Sequence, residues 1–359
     1  LVSGDPEAMN YAITADSYTI ALDNVVDGDV TFTGDAQLVM NDLQSTYNVL
    51  VGEMRDIDYD ATVGAVDILV DIQIPGGNGE YVTGGGKIDN LVMVGNVSMP
   101  ADAAFENPDN MFMDGFAASG SYASDSAAYV FDVNAEGDSG AGSISTGATT
   151  LTAEFSSEVI GYSSNTENIA VNLSSSDLPF PVEMSLSQYG IGFEMPTAKD
   201  VESDVNVSLD FVDLTLNDMV WNLFDPGSVL PRDPATMQFA ITGLVKPLFD
   251  IMDPAQQAAM DASEMPFEPI SLSLDTLRIA AAGALVTGQG AFTFDNTDTQ
   301  RFAPFPRPEG DVIVEISGLN GLLDKLVTMG LVAQDDIMAP RMMMGMFASS
   351  TGDDRMETK

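Results

Sequence analysis

The chain of 359 residues contains no cysteine, no histidine, one tryptophan and only 12 lysines and arginines. Without cysteine there are no disulfides, thiolate metal sites or thiol nucleophiles; without histidine, imidazole-ligated zinc, the Ser-His-Asp and Cys-His triads and the usual proton shuttle are excluded. Against 12 cations stand 55 carboxylates, a formal charge of −43. Such a field repels phosphate backbones and anionic head groups, so nucleic acid is not an expected partner. No cation lies between Lys87 and Lys199. Long apolar runs are also missing, and no transmembrane helix is expected. The opening at Leu1, with neither initiator methionine nor a basic-then-apolar leader, reads as a processed or cut chain.

What is present is apolar material, 45% of residues, arranged with period two. In "AVDILVDIQIP", Val66, Ile68, Val70, Ile72 and Ile74 alternate with Asp67, Asp71 and Gln73, the signature of a half-buried strand. Pro75 to Gly79 supply a turn, and Tyr81 starts the return. The same alternation recurs through Tyr18, Ile20 and Leu22; Val205 to Phe211; Met237 to Ile241; Ile270 to Leu274; and Val312 to Ile316. In "VEMSLSQYGIGFEMP" the apolar positions change phase near Gln188, which predicts a bulge there and a curved sheet.

Helices are expected late. One surrounds Trp221 and ends at Asp225-Pro226-Gly227; a second has Asp253 as N-cap and Pro254 as first residue. A third carries Leu322, Leu323, Leu326, Val327 and Met329, closed by Gly330, and a fourth begins at Asp335 or Asp336. In that fourth helix Met338, Met342 and Met346 share one stripe beside Met343 and Phe347. The stripe predicts a largely covered face that fills core or meets a mobile apolar ligand; a thioether copper site lacks supporting ligands.

Calcium has weak candidates in Asp27, Asp29, Asp295 and Asp298, within runs that lack EF-hand spacing and read first as turns. "GGGK" runs into Ile88-Asp89 and is no phosphate loop; Asp225 and Asp233 in "FDPGSVLPRDPAT" form a proline-braced corner before an acid/base dyad. No catalytic motif emerges, and a non-enzymatic role is expected.

The blocks "WNLFDPGSVLPRDPATMQFAITG", "GQGAFTFDNTD", "GLNGLLDKLVTMGLV" and "APRMMMGMFA", spanning residues 221 to 348, resemble an alphaproteobacterial exported family known as domain of unknown function 2125. The resemblance implies a periplasmic or extracellular location and a last strand after the methionine helix, which with the sequence stopping at Lys359 is expected to be missing or merely begun; it transfers no activity.

These readings define a mainly β expectation: a large, curved antiparallel sheet or pair of sheets, elongated, with a few C-terminal helices on the apolar face. The chain reads as one β-rich body over 1–359, with a possible division into an acidic region, 1–200, and β plus helices, 201–359. Trp221, Phe224, Leu322, Leu326, Met342 and Met346 are the candidate ligand-binding residues between sheet and helices. The expected function is binding of a lipid or other hydrophobic molecule, without a cofactor. The alternative is a structural protein of the cell surface that pairs its sheet edges with an envelope partner.

Overall fold

A computed structural model describes residues 1–27, 30–74, 79–100, 110–135, 137–347, 349–352 and 354–358. The expected turn at Pro75–Asn78 lies outside them, as does Asp29. The protein is mainly β, with 18 strands and four short helices among the described residues and antiparallel pairing, as the alternation predicts. Residues pack as two compact units: Leu1–Glu154 with Ser164–Ser187, and Phe155–Ser163 with Gln188–Lys359.

In the first unit β1 (Val2–Asp5), β2 (Ala8–Asp27), β3 (Val30–Val51), β4 (Met54–Gln73) and β5 (Tyr81–Pro100) pair in sequence. β5 then pairs along one half with β6 (Ala117–Ser124) and along the other with β7 (Ser126–Ala135), and β7 pairs with β8 (Asp138–Thr146). β9 (Thr149–Phe155), β10 (Val159–Ser175) and β11 (Val182–Pro196) contribute residues to both units.

Strands of 20 to 22 residues do not stay straight, because the right-handed twist accumulates along them. Here the bend is concentrated. Asp42 in β3 and Asn90 in β5 adopt left-handed backbone, φ 54 and 52°, and by register they lie in one line with Asp16 of β2 and Gly64 of β4. Aspartate and asparagine tolerate that conformation better than most residues, and here Asn90 Nδ2 is held from a distant segment, donating to Asp125 Oδ2 at 2.7 Å. Crossing this crease inverts the alternation. Leu38 and Met40 precede it and Leu43 follows; Val63 lies on one side and Val66 on the other; Ile88 gives way to Leu91. All of them meet in one cluster, with Val63, Val66 and Leu91 buried. The apolar spacing of three across Asp42, Gly64 and Asn90 keeps both arms facing the same core. Asn168 in β10 and Asp213 in β12 (Ser203–Leu216) repeat the device, φ 50 and 56°.

The expected phase change at Gln188 does not occur. In β11 Leu186, Gly190 and Gly192 stay on the buried side, and Tyr189, Ile191 and Phe193 remain exposed. A glycine row carries the alternation through, so the strand is apolar on both faces and the sequence pattern mistook a change of composition for one of direction.

Above the crease Asp23, Asp35 and Asp71 stand directly opposite one another across β2, β3 and β4. The Asp35 carboxyl is raised above its ordinary value, first by its hydrogen bond with Asp23, then by partial burial and by the Asp23 and Asp71 charges. A raised folded-state value means that the native state binds this proton more tightly than the unfolded chain does. The penalty is full at neutral pH and is relieved as pH falls through the raised value toward the ordinary 3.8. Asp35→Asn is expected to melt above the wild type at pH 7, with the gap closing on acidification. Melting curves of both proteins between pH 7 and 4 check this; a gap constant with pH contradicts it.

The second unit holds β12, β13 (Ala235–Pro247), β14 (Phe267–Ala281), β15 (Ala284–Asp295) and β16 (Arg307–Ser317) in sequential antiparallel pairing. β18 (Arg355–Thr358) pairs with the end of β16, and β17 (Ser349–Gly352) with β18. A strand thus follows the last helix.

α1 (Asp218–Phe224) forms where expected. Asn217 caps it by accepting from the Val220 N–H at 3.3 Å, and it ends at Asp225. α2 begins at Gln257 and runs to Asp261, later than the Asp253-Pro254 signal. Asp253 is held instead in a turn, where its side chain accepts from the Ala255 N–H and from Gln256 Nε2, which also binds Asp250. α3 (Leu319–Thr328) ends as predicted: Gly330 has φ 73°, its N–H bonds Val327 O, and the Leu331 N–H reaches back to Leu326 O. α4 (Met338–Phe347) starts two to three residues later than expected.

Candidate hydrophobic-ligand surface

Register sorts the second sheet into two chemically distinct faces. On one face Val207, Ile241, Leu274 and Val312 form a row with Gly290 between the last two. The next rows are Leu209, Phe239, Leu277, Gly288 and Val314, then Phe211, Met237, Ile279, Val286 and Ile316. Neighbours on such a face interact across strands, and bulky groups lean into glycine positions. A Cβ on Gly290 would stand 2.7 Å from Val312 Cγ2, and one on Gly243 2.6 Å from Leu272 Cδ2, so these glycines make room for the side chains beside them.

This apolar face is incompletely covered. Val207, Met237 and Ile279 each remain about two-fifths exposed, and Val245 is its deeply buried member at one end.

The opposite face is hydroxyl-rich. A groove of about 780 Å³ crosses it. By register Asn206, Thr242, Ser271, Ser273 and Thr293 alternate with the apolar rows and line the groove, as do Glu194, Asp204 and Glu309, while Val205, Leu244, Leu272 and Phe292 make much of its wall apolar. Asp275 accepts from the hydroxyls of Ser273 and Thr242, both at 2.6 Å, and these bonds hold its carboxyl below the ordinary value. A smaller groove of about 420 Å³ lies over β15, β16 and β18, lined by Thr287, Glu315, Arg355 and Glu357 among others. None of the six expected ligand residues lines either groove.

The helices gather at the β14–β15 turn. A Cβ on Gly283 would lie 3.2 Å from Pro231 Cγ and 3.9 Å from Lys325 Nζ, which places the loop after α1 and the middle of α3 around this turn. Arg341 ties α4 to α3 through Asp324 at 2.8 Å and Asn320 O at 3.1 Å. Arg232 braces α1 through Asp218, Asn222 and Ser228. The corner that follows α1 is built on Asp225, which is inaccessible to solvent and accepts from the Val229 and Leu230 N–H groups at 2.9 and 2.8 Å. Burial works against its ionisation, but those two bonds and the Arg232 charge outweigh it and keep the carboxyl below its ordinary value. Asp225 therefore serves as a structural cap, as the corner reading predicts.

Of the six expected ligand residues, Trp221 and Phe224 meet with ring centroids 4.8 Å apart, and Phe224 keeps an exposed side. Leu322 and Leu326 are half-buried on α3. Met342 and Met346 depart from expectation: with Met338 they face solvent, Met346 at 76% exposure. The residue that anchors this segment is Ile337, 1% exposed, one position before the helix. The methionine stripe is thus an uncovered apolar strip, whereas the sequence predicts a covered one. Periodicity marks a face without telling which way it points, and an isoleucine just outside the helix took the buried position. The apolar rows of β12 to β16 were legible as strands, but their common face required the register.

For calcium, Asp295 is already engaged: its Oδ1 accepts from the Thr297 hydroxyl at 2.6 Å and the Thr297 N–H at 3.0 Å, a turn that Asp298 N–H extends to Asp295 O. Among the described residues, no three acidic side chains gather as a metal site. The Asp27 side chain and Asp29 lie outside the described residues.

The fold and this surface define a class: an antiparallel β protein whose sheet has a polar, grooved side and an apolar side left partly open beside short helices. Residues 126–358 match the model of a family described as an uncharacterized protein conserved in bacteria, DUF2125, and the chain belongs to that family. No curated protein and no solved structure matches it. No helix among the described residues is long and apolar enough to cross a membrane.

Proposed function

We propose that this is a non-enzymatic cell-envelope protein, periplasmic or extracellular, that binds a lipid or another hydrophobic molecule on the apolar face of β12 to β16 beside the helices. The observation that carries the reading is the row structure of that face: contiguous aliphatic and aromatic side chains on five strands, with Val207, Met237 and Ile279 open to solvent. A contiguous exposed apolar area of this kind is costly in water and marks a contact surface. Acyl chains suit it because rows of aliphatic and aromatic side chains accept a linear hydrocarbon without polar pairing. The exposed strip of Met338, Met342 and Met346 supplies adaptable thioethers nearby in sequence to α3.

The test uses the full chain, gently purified and examined by native mass spectrometry, and then titrated with a fluorescent fatty acid. A reproducible added lipid mass and saturable uptake are expected. Val207→Glu with Ile279→Glu changes side chains that are already exposed, so the melting temperature should hold while uptake weakens about tenfold or more. Bare protein that takes up no probe, or equal uptake by the double variant, overturns the proposal.

A further inference from the structure

The first unit carries a different unfinished surface, on a strand edge and independent of the ligand face. β2 pairs with β3 along its length, but on its other side β1 covers only Ala8 to Tyr11, and the last backbone exchange is between Ala12 and Leu1, at 2.6 and 2.8 Å. Backbone groups of alternate residues point to the same edge. Ala12 points outward below the crease, and beyond it the direction inverts: the Ile74 N–H bonds Glu80 O, so the even residues of β4 face β5 there, and by register Tyr18, Ile20 and Leu22 face β3 while Ser17, Thr19, Ala21 and Asp23 face outward. Among the described residues of this unit none pairs with these four. Tyr18, Ile20 and Leu22 alternate with them on one sheet face and are 50, 49 and 60% exposed.

Edges left this way invite another strand, and proteins normally blunt them with lysine, proline, short length or a bulge. β2 is 20 residues long and contains no lysine, arginine or proline. Its left-handed Asn24 interrupts pairing only beyond Leu22. We infer that the Ser17–Asp23 edge receives an extended strand of a cationic partner, added antiparallel to β2.

The charge pattern specifies that strand. Asp23 is the outermost member of the Asp23, Asp35, Asp71 row, and Asp16 lies opposite Asp42 at the crease. A strand added antiparallel therefore meets carboxylates opposite Asp23 and, seven residues later, opposite Asp16. Between them it meets Leu22, Ile20 and Tyr18. The fitting sequence has Lys or Arg at its first and eighth positions and apolar residues at the second, fourth and sixth. A second copy of this chain is the poorer occupant: it brings another net charge of −43, and neither its β2 nor its β3 has a cation to offer.

The probe is a cyclic hairpin whose free edge reads Lys-Val-Thr-Val-Thr-Val-Thr-Lys, closed to reduce the ordering cost. With the full chain it is expected to bind in low salt, to weaken as salt rises, and to slow amide exchange at Ser17, Thr19, Ala21 and Asp23. Replacing both lysines by glutamate should weaken binding at least about tenfold. Thr19→Pro removes one outward N–H without touching the ladder to β3, so the protein should keep its melting temperature and lose at least about fivefold in affinity, one backbone hydrogen bond. Asp23→Asn should weaken the lysine hairpin alone. No binding, equal binding by Thr19→Pro, protection at other residues, or an edge already protected in a homodimer each overturns the inference.

Discussion

Ile337→Ala is expected to destabilise the second unit by about 2–5 kcal/mol, the range for removing a buried isoleucine side chain down to its first carbon. The position is 1% exposed and sits immediately before α4. Its carbonyl also accepts the Arg341 N–H at 3.2 Å, so the same residue seats the helix by its side chain and starts it by its backbone. Met346→Ala, nine residues on, should change stability by no more than about 0.5 kcal/mol, because an exposed side chain leaves little contact behind. Urea unfolding of both variants separates the two accounts of this segment. Equal losses would show the methionines packed and the isoleucine incidental.

Gly318→Ala is the second large effect. Gly318 joins β16 to α3 with φ 69°, and a Cβ there would stand 2.1 Å from Gly283 O, a distance no side chain tolerates. Left-handed backbone on a residue other than glycine costs about 1–3 kcal/mol before any clash is counted. The clash adds displacement of the β14–β15 turn, around which Pro231 and Lys325 gather. Since this glycine cannot cap the helix itself, the cap comes from afar: Asp354 accepts from the Asn320 and Gly321 N–H groups, at 3.3 and 3.1 Å, and from Asn320 Nδ2 at 2.8 Å. A lower melting temperature together with faster amide exchange through Leu319–Thr328 is expected. Unchanged exchange in α3 would refute the role assigned to this junction.

These two positions show what the sequence could and could not disclose. Strand existence was legible throughout β4, β12, β13, β14 and β16, because alternation is a local property of the chain. The glycine stop of α3 and the aspartate corner after α1 were legible for the same reason. The crease was written in the sequence in a form that a period-two reading passes over: Met40 to Leu43, Val63 to Val66 and Ile88 to Leu91 each jump by three across Asn, Asp or Gly. Gln188 drew the bend to the wrong place because apolar residues occupy both faces of β11. The direction of the methionine stripe and the cap at Asp354 were not legible, since both depend on segments that meet only in the folded chain.

The crease has an evolutionary corollary. Pairing between β3 and β4 keeps the same register on both sides of Asp42 and Gly64, and that between β4 and β5 does so on both sides of Gly64 and Asn90, so the inversion is not made by an extra residue that one strand could discard. Each strand must turn over at the same level as its neighbour. A mutation that restored ordinary backbone at Asp42 or Asn90 would set that strand's oily side against the next strand's wet side along an entire arm. Descendants of this protein should therefore gain or lose the fold line as a set, with the left-handed positions drifting in concert and the residues between them free to vary alone.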